Sequence, residues 1–120
     1  MPKKFPQQKA EDEKRYILAS GASNTAELEP FLTDPNQAIR VTAAMNPDAD
    51  ADILDRFAND KFWGVRIKVV NHPNVSEATL RKLLEAKVSK RGVVHHAVCK
   101  KLKARGVKFS NDGMPIFTPK

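Results

Sequence analysis

Residues 34–59, DPNQAIRVTAAMNPDADADILDRFAN, are followed at once by residues 60–85, DKFWGVRIKVVNHPNVSEATLRKLLE, and the second stretch rewrites the first. At a shift of 26 residues Asp34 falls on Asp60, Ile39 on Val65, Arg40 on Arg66, Val41 on Ile67, Pro47 on Pro73, Leu54 on Leu80 and Phe57 on Leu83. The identities are punctuation and one basic residue, while the apolar sites keep their character and change their shape. Periods of roughly 20–50 residues mark arrays of supersecondary units, because each unit must bury its apolar face against the next.

Each unit reads as a pair of helices. In the first, Asp34 is expected to cap a helix with Pro35 at its first position and Gln37 three residues after the cap. That helix carries Ile39, Val41, Ala43, Ala44 and Met45, apolar on nearly every side, as suits a helix sandwiched between neighbours. It should stop before Pro47, because proline pushes the preceding residue out of helical geometry. A short helix near residues 50–59 then presents Ile53, Leu54 and Phe57. The second unit repeats the plan, with a helix around 62–70, a stop at Asn71-His72-Pro73, and a helix capped by Ser76 that carries Leu80, Leu83 and Leu84.

The pattern degenerates outward. Residues 1–8 read as a flexible N-terminal arm. From Lys9 the residues favour helix, with Tyr16, Ile17 and Leu18 supplying apolar contact before Gly21. Asn24 and Glu27 then form a capping box, and the shift of 26 sets Leu28 under Leu54 and Phe31 under Phe57. Residues 8–33 therefore act as an N-terminal capping repeat. After Glu85 the register holds with two extra residues, so that Val65, Val69 and Val70 map onto Val93, Ala97 and Val98. A helix over about 90–105 closes the stack. In the tail, residues 106–120, Asp112-Gly113 flanked by Val107, Phe109, Ile116 and Phe117 predicts a small β-hairpin. The expected fold is all-α, a short α-solenoid of about four helical repeats over residues 9–105, two clear and two serving as degenerate caps.

The Asp that opens each unit, the Val/Ile-Arg dipeptide, the Asn/His-Pro stop and the leucine-bearing helix after it together resemble the leucine-rich repeat variant family, a HEAT-like group. The resemblance covers residues 34–85, with 8–33 and 86–105 as degenerate ends. It implies a right-handed stack of short helices serving as a binding scaffold, with no common catalytic residues to carry across.

At 120 residues the chain makes one domain, with ordinary charged (29%) and hydrophobic (41%) fractions. No apolar run approaches the ~20 residues of a membrane span, and the opening residues lack a secretory hydrophobic segment. These features, with the lone Cys99, lead us to expect a cytoplasmic protein without membrane contact. The net charge of +7 is uneven: residues 16–59 hold two Lys/Arg against seven Asp/Glu, whereas residues 87–120 hold nine against one. Such a C-terminal end attracts anions from a distance.

Five sets of residues merit a functional reading. Asp34, Arg40, Asp60 and Arg66 recur at identical spacing, as expected of a structural Asp-Arg ladder between repeats. Phe62 and Trp63 stand where the sister copy has Asn36 and Gln37, so that position is not obligatory core. They are candidates for partner-binding anchors, or else they pack against a tail or cap. Lys87, Lys90, Arg91, Lys100, Lys101, Lys103, Arg105 and Lys108 form a cluster without an intervening acid, more one-sided than a surface made only for solubility. They are candidates for anion or nucleic-acid backbone binding, although no nucleic-acid-reading signature accompanies them. His95, His96 and Cys99 share one helical turn but lack a fourth metal ligand and an orienting partner, so no metal, cofactor or catalytic residue is expected. The acidic group Asp48, Asp50, Asp52 and Asp55 reads as a helix N-terminus and not a calcium loop. The first expectation is a non-catalytic scaffold that binds a protein; the alternative is nucleic-acid binding through the basic end.

Overall fold

The computed structural model describes residues 6–116, and among these the regular structure is helical, with no strand. Seven α-helices follow in order: α1 Pro6–Gly21, α2 Thr25–Leu28, α3 Gln37–Met45, α4 Ala51–Phe57, α5 Trp63–Val70, α6 Glu77–Lys82 and α7 Val93–Ala104. Short 3-10 turns lie at Glu29–Thr33 and Val88–Lys90. The first helix starts at Pro6, ahead of the expected Lys9; the first five residues of the arm lie outside the described residues.

The odd-numbered helices pack in succession, α1 on α3, α3 on α5 and α5 on α7, while α4 packs on α5 and α6 on α7. The molecule measures 54 × 33 × 18 Å with a radius of gyration of 16.3 Å, against about 13.6 Å for a compact domain of this length. The repeat register appears directly in the core. Leu28, Leu54 and Leu80, spaced by 26, are all fully buried, and so are Ala43 with Val69 and Ala44 with Val70.

Helix starts follow side-chain chemistry. Asn24 caps α2 by accepting from the Glu27 N–H at 3.0 Å, while the return bond of the expected capping box is made by its side-chain amide, which donates to the Glu27 carboxylate at 2.9 Å. Asp50 and Ser76 cap α4 and α6 by accepting from the Ile53 and Thr79 N–H groups. The start of α3 differs from expectation. Its cap is Asn36, accepting from the Ala38 N–H at 2.9 Å, and Asp34 instead accepts from the Asn36 N–H at 2.9 Å in the preceding turn. Asp60 accepts from the Phe62 N–H in the same way. Both aspartates thus close the entry turn through Oδ1 and still meet an arginine of the preceding repeat, chiefly through Oδ2.

Two apolar expectations are corrected. Tyr16, Ile17 and Leu18 are each half exposed or more, and Ala19 and Ala22 are the buried residues at that end. An end helix has a neighbour on one side only, and its small residues let α3 approach closely. After Glu85 the register runs with three extra residues, not two: Val94 and Val98 take the buried places of Val65 and Val69, His95 is buried where Arg66 is half-buried, and Val93 is exposed. The turn Val88–Lys90 absorbs the insertion.

The exit turns are tied by side chains. The Asn46 amide donates to the Ala19 and Ala22 carbonyls at 2.9 and 2.8 Å. His72, at the equivalent place, bonds through Nε2 to the Asn46 carbonyl at 2.7 Å and accepts from the Asn74 N–H on Nδ1. Helix α7 ends in Gly106 at φ +90°, with the Gly106 and Val107 N–H groups donating back to Lys103 and Leu102, the Schellman arrangement. Beyond it the chain folds back through Asp112-Gly113: Ser110 donates to the Met114 carbonyl and Ile116 to that of Lys108, with one isolated bridge between Phe109 and Pro115. Phe117, part of the expected hairpin, lies outside the described residues.

Candidate anion-binding cleft beside Trp63

A ladder of arginine and aspartate runs through the entry turns and ends at a cleft. Arg15 donates through Nε to Asp34 Oδ2 at 2.8 Å. Arg40 donates through Nε to Asp60 Oδ2 at 2.8 Å and through Nη2 to Oδ1 at 3.3 Å. With its third nitrogen, Nη1, Arg40 holds the carbonyl of its own unit's Asp34 at 2.7 Å. The Arg40–Asp60 side chains are 9% and 6% exposed, so the two ends of a planar fork are matched in a largely dry setting.

Arg66 repeats half of this. Its Nη1 donates to the Asp60 carbonyl at 2.7 Å, as Arg40 does to Asp34. The rung to the next unit is not made: at the ladder's spacing the position after Asp34 and Asp60 is Ala86, and among the described residues Arg66 is in no ion pair. Its side chain instead lines a cleft of about 300 Å³ together with Trp63, Glu85, Lys90, Val93 and His95.

The two expected aromatic anchors separate. Phe62 is partly buried against the core, its ring lying over Gly64, where an added Cβ would come within 2.5 Å of the ring edge. Trp63, tilted against it at 5.9 Å between ring centroids, is 53% exposed on the cleft rim. Val93, which lines the same cleft, is 64% exposed because of the one-residue slip in register. The cleft also meets the start of α7, whose cap Gly92 offers no side chain to its first amides.

The basic residues divide by what they touch. Arg91 donates to the carbonyls of Glu85, Ala86 and Asp112, tying the loop before α7 to the tail. Arg105 donates to the Val75 carbonyl at 2.7 Å. Lys103 stands over the Phe109 ring at 5.0 Å. Lys87, Lys90, Lys100 and Lys108 are exposed and Lys101 is half-buried. None of the eight cations joins an ion pair among the described residues; the pairs there involve other residues. Only Lys90 of this set shares the cleft with Trp63.

His95 is buried in the cleft wall. Its Nδ1 accepts from the Glu85 N–H at 2.9 Å, so the proton resides on Nε2, which faces Cys99 Sγ at 3.4 Å. Burial, then the nearby Arg91 and His96, lower its pKa from the ordinary value, with Glu85 opposing. A histidine in this tautomer does not take the thiol proton. Among the described residues no three His, Cys, Asp or Glu side chains gather as metal ligands, and no helix is long and apolar enough to cross a membrane. Among the acidic residues, Asp50 caps α4 and Asp55 accepts from the Thr79 hydroxyl at 2.7 Å and pairs with Lys82 at 3.0 Å.

Sequence reasoning assigned Arg66 to the ladder alone and did not place Arg66, Val93 or Glu85 in a cleft. The signal was present in the count: an arginine at the ladder spacing with alanine where its aspartate should fall. No protein-family model, curated protein or solved structure matches the chain.

Proposed function

We propose that this protein is a non-catalytic scaffold, a short α-solenoid of the leucine-rich repeat variant type, that binds an acidic segment of another protein at the cleft between α5 and α7. The observation that carries this reading is the half-exposed Trp63 on the rim of a cleft that also holds Arg66 and Lys90. An aromatic anchor beside cations is the usual composition of an interface hot spot. The packing of each odd-numbered helix on the next and the fully buried Leu28, Leu54 and Leu80 support the solenoid. The remaining lysines of α7 and its flanks steer an acidic partner toward this end and raise the association rate.

A second reading, binding of a nucleic-acid backbone, is favoured by one observation: Lys87, Lys100 and Lys108 are exposed and in no ion pair among the described residues. The two readings separate in a binding assay with fluorescein-labelled polyglutamate and a labelled DNA duplex at ~50 mM salt. The protein reading expects Trp63→Ala to weaken polyglutamate binding about tenfold or more. If Trp63→Ala leaves polyglutamate binding unchanged, while DNA binds tightly and is lost in Lys100→Glu with Lys103→Glu, the nucleic-acid reading replaces it.

A further inference from the structure

The geometry points to a specific chemistry for the partner: a carboxylate side chain that completes the ladder in trans on the Nε and Nη2 edge of Arg66, with an adjacent apolar side chain resting on Trp63 and Val93. This rests on the protein-binding reading above and deepens it.

Arg40 and Arg66 are the same residue at the same place in successive units, and their Nη1 atoms make the same 2.7 Å bond to the carbonyl of their own unit's aspartate. That bond aims the opposite edge of the guanidinium at the next unit. For Arg40 the edge meets the Asp60 carboxylate in two bonds; Arg66 lines the cleft, and among the described residues its Nε and Nη2 join no carboxylate. A planar fork with two parallel N–H donors matches a carboxylate bidentately. The ladder above therefore shows, within this chain, the ligand that such an edge takes. Two further features favour an anion there. Lys90 lines the same cleft, and α7 begins in it with a glycine cap that leaves its first amides without a side-chain acceptor. Glu85 lines the cleft as well but makes no ion pair with Arg66 among the described residues, and its own backbone N–H is held by His95. Exposed Trp63 on α5 and Val93 on α7, both lining the cleft, make an apolar rest for the residue beside the acid.

The test is two-dimensional NMR of the full ¹⁵N-labelled chain, reading the arginine Nε–Hε resonances and the indole N–H of Trp63, the sole tryptophan. The probe is the capped dipeptide N-acetyl-Leu-Asp-amide, with inorganic phosphate at matched ionic strength as the second arm. The expected result is that the dipeptide moves the Arg66 Nε–Hε resonance toward that of Arg40 and shifts the indole. Arg66→Gln should weaken the indole response about tenfold to a hundredfold. Ala86→Asp, which puts a carboxylate at the same sequence separation from Arg66 as Asp60 has from Arg40, should move the Arg66 resonance without probe and blunt the probe's effect.

An indole response without an Arg66 response would overturn the carboxylate contact and leave the protein-binding reading standing. Absence of both, together with no response to polyglutamate, would overturn both. An equal response to phosphate would overturn the commitment to a carboxylate. So would an Arg66 resonance already at the Arg40 position that moves in Glu85→Gln, since Glu85 would then close the rung within the chain.

Discussion

At the scale of single residues, the contrast between buried and exposed ion pairs governs what each charge contributes. Arg40 and Asp60 are matched in two bonds and nearly excluded from water. Arg40→Ala leaves Asp60 buried without its partner and is expected to cost about 3–5 kcal/mol in urea unfolding. Arg56 pairs with Glu29 with both side chains about half exposed, and Arg56→Ala should cost about 0–1 kcal/mol in the same assay. His95 brings a pH dependence with a definite sign. Its pKa is lowered in the folded chain by burial first, so the unfolded chain binds the proton more readily. Its contribution is complete above the unfolded value of about 6.5 and falls as pH drops through 6.5 toward the folded value. The urea midpoint should therefore decline between pH 7.5 and 5.5, and His95→Gln should flatten that decline. Asp55 acts in a lower window: the Thr79 hydroxyl and Lys82 lower its pKa, and that stabilisation is lost only as pH falls below the ordinary carboxylate range.

At the scale of helices, the apolar spacing was legible because it follows from burial alone. Leu28, Leu54 and Leu80 were readable as one repeated core position, and all three are fully buried. Leu54→Ala should cost about 2–5 kcal/mol, whereas Met45→Ala, on a half-exposed side chain, should fall within about 0.5 kcal/mol. Gly106 at φ +90° ends α7, and Gly106→Ala should cost roughly 1–2 kcal/mol, read as a lowered midpoint in thermal unfolding. What the sequence did not disclose were the positions set by neighbours. Asp34 has the residue type of a helix cap, but its carboxylate is drawn to Arg15 and the cap passes to Asn36. Tyr16, Ile17 and Leu18 look like core and are exposed because α1 has one neighbour. The register after Glu85 slips by one more residue than apolar spacing implies, since Val93 and Val94 are interchangeable in kind and only the length of the Val88–Lys90 turn decides between them.

At the scale of the whole molecule, the row of odd-numbered helices extends the chain along one axis, and small-angle X-ray scattering should return a radius of gyration near 16.3 Å, well above the roughly 13.6 Å of a compact domain. The ladder runs along this row from Arg15 at one end to Arg66 at the other, so the unmade rung falls where the acidic first half gives way to the basic last third. The candidate site was half legible: Trp63 and Lys90 could each be singled out, but nothing in their separation along the chain said that α5 and α7 bring them to one cleft beside Arg66. The claim on which the rest depends is that this cleft, and not the outer lysines of α7, makes the binding contact. Fluorescence of Trp63 during titration with polyglutamate tests it most directly, compared between Arg66→Gln and the double variant Lys100→Glu with Lys103→Glu. The expected result is an emission shift that is lost in Arg66→Gln and retained in the double variant; a shift retained in Arg66→Gln and lost in the double variant would contradict a binding contact at the cleft.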